Sequence, residues 1–416
     1  MVAEPKRRFL MGELKIGTTI ARLRKLRGLT QSDLAEELFV SDKAVSKWER
    51  GVGYPDITQL QVLAKTLGTT VDGLLAGERT GITIAGNIIK DTVKIVNVYP
   101  EKGMMGIIDS LSQAVGGCVP NTGIDLAKLD KKLKVDVIGR VGNDESGRFI
   151  LSEMQKYGVD VSKVITDQKA CTSFCDVMTI ESTGERTFFS HEGANGEFCP
   201  QDVDVEALNC EMFHIGYLLL MRQFDEPDEE YGTALARLLK RVQEAGIRTS
   251  FDVVSNTTGK FSATVLPALK YTDNAFMNEV EASEVSGIPP RDENGNLVVE
   301  NVRKTMEIMM KEGVGERLIV HAPEAGFCYA ADGTFTVVPS LDLPKDYIKG
   351  SVGAGDAYCA GCLYGIYKGM SDKEMLEFAS ACAAMNLAAK DSISSMKDKE
   401  SVYALMKKFG RKNINY

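Results

Sequence analysis

The sequence predicts an α/β fold, a doubly wound and mostly parallel sheet flanked by helices, preceded by a small all-α segment. Three observations carry that expectation. From about residue 82 onward, short apolar runs alternate with helical stretches: "KVDVIGRVG", "EMFHIGYLL", "RTSFDVV", "NAFMN" and "RLIVHA" read as strands, and "EYGTALARLLKRVQEAG" and "ENVRKTMEIMMKEG" as helices. Repeated βα units of this kind build a parallel sheet with helices on both faces. Up to residue 77 the chain instead reads as short helices with gaps of two to five residues, which demands a compact bundle. Between the two lies the short polar stretch "AGERTG", residues 76–81.

The helical segment is punctuated by its own caps. "TTIARLRKLRG" spaces Ile20, Leu23 and Leu26 by three and stops at Gly28. "TQSDLAEELF" opens on Thr30 with Asp33 three positions on, an acidic capping-box variant. "SDKAVSKWERG" opens on Ser41 and closes at Gly51, "DITQLQVLAKTLG" opens on Asp56 after Pro55 and closes at Gly68, and "TVDGLL" forms a last short turn. The lone Trp48 reads as core.

This segment resembles the Cro/cI-type (Xre) helix-turn-helix family along its length. Thr30-Gln31, Leu34-Ala35, Val40-Ser41, Val45-Ser46, Trp48-Glu49-Arg50-Gly51 and Pro55 stand at the matching offsets. The resemblance implies a first motif helix over 31–38 and a recognition helix over 42–49, whose N-terminal half lies in the major groove. By the same resemblance Ser41, Asp42, Lys43, Ala44 and Lys47 face bases or phosphates, and Gln31 and Arg50 the DNA backbone. Specific binding by one such headpiece calls for a dimer.

Composition bounds the remaining classes. The 416 residues exceed one ordinary domain. No apolar run reaches the roughly 18 residues needed to span a bilayer. The first residues, where Met1 or Met11 serves as the start, are basic without a following apolar stretch, so no secretory signal is expected. Nine cysteines lack a disulfide-like spacing, and reduced thiols without a signal point to the cytoplasm. Cys359-x-x-Cys362 falls inside an apolar helix and reads as packed core. Residues 1–77 carry a net +3 against −12 for the remainder, so the two parts suit different partners.

The large domain holds a conspicuous stretch, "KGSVGAGDAYCAGCLYGIY" (349–367). Gly353, Ala354 and Gly355 form an anion cradle at a helix start, where free N–H groups and the helix dipole favour negative charge. Asp356 puts a carboxylate beside it. "AVGGCVPNTGIDLAKL", "TSFCDVMTIESTGERTFFSHEGAN" and "NAFMNEVEASEVSG" accompany it in chain order. Order and spacing together resemble the ribokinase-like (PfkB) carbohydrate kinase family, from about residue 82 to about 410. The domains expected are therefore 1–77, a linker 78–81 and 82–416, the last with a small β lid.

The likeness to these kinases implies ATP-dependent phosphorylation of a sugar or nucleoside-like hydroxyl. It implies that Asp356 takes the hydroxyl proton, and that the N–H groups of Ala354, Gly355 and Asp356 receive the developing phosphoryl charge. Asn278 and Glu281 match the family's N-x-x-E motif, which orients Mg²⁺ and its waters. By the same resemblance Asp91, five residues after Gly86, holds substrate hydroxyls, and Gly116, Gly117, Asn121 and Asn195 complete that wall. Arg186 reads as structural, and residues 92–115 as lid strands that cover the sugar and pair subunits into a homodimer.

The chain departs from the family at two places. Gly350-Ser351-Val352 replaces the common Asp-Thr-x, resembling the phosphofructokinase and tagatose-phosphate kinase wing, with Ser351 on the nucleotide side. In relatives that Asp serves a monovalent-cation site, so the change bears on K⁺ as a third cofactor beside ATP and Mg²⁺. The nucleotide segment reads "HAPEAG": Gly326 is kept, while Pro323 removes an N–H and fixes φ. A regulator whose kinase-like domain senses a sugar with little or no catalysis is the alternative these departures leave open.

Overall fold

The structure, a computed structural model, describes residues 15–77, 79–183, 185–255 and 261–414. Met1, Met11 and Glu78 of the expected linker lie outside the described residues. The chain forms two compact units, one of residues up to Gly81 together with Asp204–Glu211, the other of Ile82–Val203 and Met212–Tyr416.

The first unit contains α1 (Lys15–Leu26), α2 (Gln31–Glu37), α3 (Asp42–Glu49), α4 (Ile57–Thr66) and α5 (Val71–Ala76). Its starts are capped as the sequence predicts. Thr30 and Asp33 close a reciprocal capping box on α2, Ser41 caps α3, and Asp56 with Gln59 closes a second box on α4. Ile20, Leu34, Val45 and Leu63 are fully buried, and Trp48 joins them at 6% exposure, a core position as expected.

The second unit opens with β1 (Ile82–Gly86), β2 (Ile89–Val96), β3 (Ile108–Gly116), α6 (Cys118–Leu129), β4 (Val135–Gly142), α7 (Glu145–Lys156), β5 (Asp160–Asp167), β6 (Phe174–Ile180) and β7 (Arg186–His191). It continues with β8 (Met212–Leu218), α8 (Arg222–Asp225), the short hairpin β9 (Pro227–Asp228) and β10 (Gly232–Thr233), α9 (Ala234–Glu244), β11 (Arg248–Val253), α10 (Phe261–Leu269), β12 (Asn274–Asn278) and α11 (Glu279–Ser286). The last elements are α12 (Val299–Lys311), β13 (Arg317–His321), β14 (Ala325–Ala330), β15 (Phe335–Pro339), α13 (Ala354–Tyr367), α14 (Asp372–Asn386) and α15 (Lys399–Lys408).

Nine strands form the main sheet in the order β15-β14-β13-β12-β11-β8-β1-β4-β5. Seven of them, β13 to β5 in that order, run parallel, and β14 and β15 form an antiparallel edge. Parallel strands buried on both faces read as continuous apolar runs, which is why β8 and β12 are legible as "MFHIGYL" and "NAFMN". A four-stranded second sheet, β3-β2-β6-β7, includes the expected lid strands. Its β7 is exposed along its whole length, and Leu111, Phe188 and Phe189 are each at least half exposed.

Candidate active site

The carboxyl ends of β8, β11 and β12 and the starts of α11 and α13 converge on one cleft. Its lining includes Tyr217, Asp252, Asn278, Glu281, His321, Gly353, Gly355 and Asp356, around a cavity of about 180 Å³. The ends of parallel strands are where an open α/β sheet leaves room for a ligand, because the helices there diverge. Predicted site residues from two distant sequence stretches thus line the same cleft: Asn278, Glu281, Gly353 with Gly355, and Asp356.

Helix α13 starts on Gly353, which has φ +77° and supplies no side-chain cap. A Cβ at Gly353 would stand 2.5 Å from the Ser392 Cβ, so both the turn and the packing require glycine. The first intrahelical bond runs from Ala357 N to Gly353 O, so the N–H groups of Ala354, Gly355 and Asp356 precede the ladder. Of these, Ala354 N already leans on Ser351 O at 3.3 Å, which leaves Gly355 and Asp356 as the freer pair. Ser351 itself lies exposed in the loop before the helix.

Asp356 is buried, with its two oxygens held separately. Tyr217 donates its phenol hydrogen to Oδ1 at 2.6 Å, and Asn121 Nδ2 donates to Oδ2 at 2.9 Å. Burial pushes the Asp356 carboxyl up to about 7, with repulsion from Asp252 adding and the two hydrogen bonds opposing. Asn121, expected on the substrate wall, is therefore fixed on Asp356, and Ser392 Oγ donates to its Oδ1 at 2.8 Å. Tyr217 is positioned in turn by Asn87, whose Oδ1 accepts from Tyr217 N.

Glu281 is likewise buried, and burial pushes it up to about 7. With Asn278 it closes a capping box: Asn278 Oδ1 accepts from the N–H groups of Val280 and Glu281, and Asn278 N donates to Glu281 Oε2 at 2.8 Å. Ser255 Oγ donates to the other Glu281 oxygen at 2.9 Å. Among the described residues no Lys or Arg forms an ion pair with Glu281 or Asp252.

Asp91 lies on β2, where burial pushes its carboxyl up to about 6 and its charge adds to the field on Asp356. A Cβ at Gly116 would meet Asp91 Oδ2 at 2.2 Å, so that glycine makes room for this carboxylate. Gly117, at φ +87°, starts α6 where a Cβ would collide with Asn87 O. Asn195 is buried, its Oδ1 accepting from Ile88 N at 3.1 Å, and it lines a second cavity of about 460 Å³ with Asn87, His191 and Arg222. Gly326 is buried in β14 beneath Tyr358, whose hydroxyl a Cβ there would overlap. Arg186, read as structural, begins the exposed β7.

Sequence reasoning missed Tyr217 and Asp252. Both sit at carboxyl ends of central strands, in "HIGYLL" and "SFDVV", so their position was the available signal.

In the helical unit, Ser41, Asp42, Lys43, Lys47 and Arg50 are exposed around α3, whereas Ala44 is half-buried against the core. Gln31, expected to face the DNA backbone, donates its amide to Glu49 Oε2 at 2.6 Å, and Arg24 Nε pairs with the other Glu49 oxygen at 2.5 Å.

A buried carboxyl in the first turn of an uncapped helix, at the carboxyl ends of a parallel sheet, is the arrangement of a phosphotransferase with an alcohol acceptor. The chain belongs to the pfkB family of carbohydrate kinases, whose model matches residues 82–399, and carries a helix-turn-helix domain matched over residues 20–74. It is 26% identical over 311 residues to fructokinase-1 of Zea mays, covering 71% of this chain and 89% of that protein. Over 101 residues it is 37% identical to the HTH-type transcriptional activator BcrR of Enterococcus faecalis, covering 24% of this chain and 47% of that protein. Ribokinase of Arabidopsis thaliana, solved with ribose and ATP, superposes with a TM-score of 0.67 at 22% identity over 79% of this chain and 99% of that one, a likeness of fold. No helix among the described residues is long and apolar enough to cross a membrane.

Proposed function

We propose that this chain transfers the γ-phosphoryl group of ATP to a hydroxyl of a sugar or nucleoside-like alcohol, with Asp356 as general base. The observation that carries the reading is the buried Asp356 carboxyl, raised to about 7, in the first turn of a helix with no side-chain cap. A base poised near neutral pH is both ionised enough to act and basic enough to take a proton. Tyr217 and Asn121 hold its two oxygens and so fix the direction in which it accepts. The N–H groups of Gly355 and Asp356 then face the oxygens that gain charge, with Ala354 joining once its bond to Ser351 is released. Gly353 keeps that approach clear of a side chain. Asp91, with Gly116 and Gly117 beside it, orients the acceptor hydroxyls, and Asn195 braces the wall through Ile88.

The oxygen-only donors Glu281 and Asn278 suit a hydrated Mg²⁺, and a buried carboxyl without a cationic partner among the described residues fits a site that receives one. Mg²⁺ and ATP would supply a charge-neutralised phosphoryl group to this cleft. Ser351 and the segment ending in Gly326 flank the nucleotide side.

We also infer sequence-specific DNA binding by the helix-turn-helix unit. The exposed Lys43, Lys47 and Arg50 around α3 support it, with Ser41 and Asp42 at the helix start reading base edges. The exposed apolar lid residues Leu111, Phe188 and Phe189 suit pairing with a second copy, which would supply the two headpieces a palindrome needs. A sugar-sensing regulator without catalysis is the second reading. It is favoured by Pro323, whose segment offers one N–H fewer, and by Gly326, which is occupied by packing against Tyr358.

ATP turnover across a panel of sugars and nucleosides, with Asp356→Asn as control, separates the two. Turnover that Asp356→Asn abolishes supports the kinase. No turnover, with ligand-induced thermal shifts retained, supports the sensor. Footprinting on the DNA upstream of the coding sequence tests the headpiece, and no protection even at low salt removes that inference.

A further inference from the structure

Partly in the cleft wall and partly behind it lies a group of side chains to which the phosphoryl-transfer reading gives no role. Cys118 begins α6, His214 lies in β8 and Asp252 near the end of β11. One ligand atom from each falls within 4.8 Å of the others, and all three residues are buried. Cys359, one turn into α13, brings its Sγ within 3.7 Å of His214 Nε2. From these residues we propose a buried zinc site, with Cys118 Sγ, His214 Nε2 and an Asp252 carboxylate oxygen as ligands and Cys359 Sγ as the fourth donor.

Four observations converge. The first is spacing. Tetrahedral zinc with bonds of ordinary length sets its ligand atoms about 3.4–3.8 Å apart. His214 Nε2 stands 3.6 Å from Asp252 Oδ1 and 3.7 Å from Cys359 Sγ, which suits an ion between them better than direct hydrogen bonds.

The second is the histidine tautomer. Ser250 Oγ lies 3.0 Å from His214 Nδ1 and donates its own hydrogen to Phe213 O at 3.4 Å. With Ser250 Oγ accepting from Nδ1–H, the tautomer a zinc ligand needs, Nε2 keeps its lone pair on the side of Asp252 and Cys359. An oxygen accepting from the far ring nitrogen is how metal-binding histidines are commonly oriented.

The third is an orphan. Asp252 Oδ1 is buried without a hydrogen-bond partner, in a residue only 7% exposed. An unpaired buried carboxylate oxygen is costly, and a cation removes that cost.

The fourth is space. A Cβ at Gly216 would fall 1.6 Å from Asp252 Oδ1 and 2.9 Å from Cys118 Sγ. The glycine thus lets the Asp252 oxygen and the Cys118 sulfur both close on the β8 backbone, where a side chain would push them apart.

Zinc binds thiolate rather than thiol, so the Cys118 and Cys359 thiols each release one proton to water as their S–Zn bonds form. Zn²⁺ with two thiolates, one carboxylate and a neutral imidazole carries a net charge of −1. Soft sulfur with imidazole selects zinc over magnesium, so this site and the oxygen site at Glu281 do not compete for the same ion. Entry is from the cleft, which Asp252 and Cys359 line. Cys362 takes no part.

The test uses the full chain, purified under reductant and stripped with a chelator, then equilibrated with Zn²⁺ and freed of excess by gel filtration. We expect one zinc per chain, and with Co²⁺ in its place a thiolate-to-cobalt charge-transfer band. Cys118→Ala with Cys359→Ala should lose both. Ser250→Ala should weaken zinc binding about 10–100-fold. Cys171→Ser should bind as the unaltered chain does, which distinguishes the exposed Cys171–His191 pair on the surface. Melting curves without metal establish that each variant folds. Should the double variant fail to fold, the cobalt spectrum of the unaltered chain decides alone. Absence of a thiolate band, zinc retained by the folded double variant, or zinc lost with Cys171→Ser would overturn the proposal.

Discussion

Helices α11 and α13 begin in the same cleft and treat their first turns in opposite ways. Helix α11 closes on itself: Asn278 accepts from two of its N–H groups and Glu281 reaches back to Asn278 N. Helix α13 starts on a glycine at φ +77° with no side-chain cap. Both place a buried carboxyl in the first turn, and burial raises each to about 7. The difference lies in what each helix leaves unsatisfied. A satisfied start presents only its carboxylate, which suits a cation. An open start presents N–H groups as well, which suits an anion beside a base. One wall of the cleft can thereby face the metal and the other the phosphoryl group.

Variants that erase the contrast should show their effects in a definite order. Asp356→Asn removes the proposed base while keeping the helix start, and we expect kcat to fall about 10²–10⁴-fold. Steady-state assays should show that loss with little change in the KM for ATP. Gly353→Ala keeps the base but puts a Cβ against Ser392 in a left-handed turn, and we expect destabilisation of about 2–4 kcal/mol by urea unfolding. A stability equal to that of the unaltered chain would mean that the open start is not dictated by its backbone.

Asn278→Ala opens the closed helix, and loss of its cap should destabilise by about 1 kcal/mol. It should also raise the Mg²⁺ concentration needed for half-maximal activity, since Glu281 loses its brace; unchanged Mg²⁺ dependence would separate the cap from the metal. The smallest change is expected for Tyr217→Phe. The phenol bond lowers the Asp356 pKa, so its loss moves the rising limb of the pH–rate profile to higher pH. A limb that stays in place would show that Tyr217 does not hold the reacting carboxyl.

Much of this contrast is legible in the residues themselves. The glycines of "GAGD" and the N-x-x-E spacing mark both helix starts, and apolar runs mark the strands that carry them. Other features are not. Tyr217 and Asp252 sit in strands whose burial makes their sequence look like core, so only topology reveals that they end in the cleft. The role of Asn121 depends on Asp356, 235 positions away, and a contact of that range leaves no local periodicity. Gln31 follows the motif's pattern, yet Glu49 and Arg24 take up its side chain in a network that pattern alone does not contain. Residues 204–211 group with the helical unit although their sequence lies inside the kinase domain.

The pH dependence of kcat/KM most directly tests the proposal that Asp356 takes the acceptor's proton. A carboxylate acts as a base only when ionised, so activity should be lost as pH falls through the Asp356 value and recovered as it rises. We expect a single-proton rising limb centred near the value of about 7 that burial gives Asp356, absent from the residual activity of Asp356→Asn. A profile that is flat across that range, or a limb that survives unchanged in Asp356→Asn, would contradict that role.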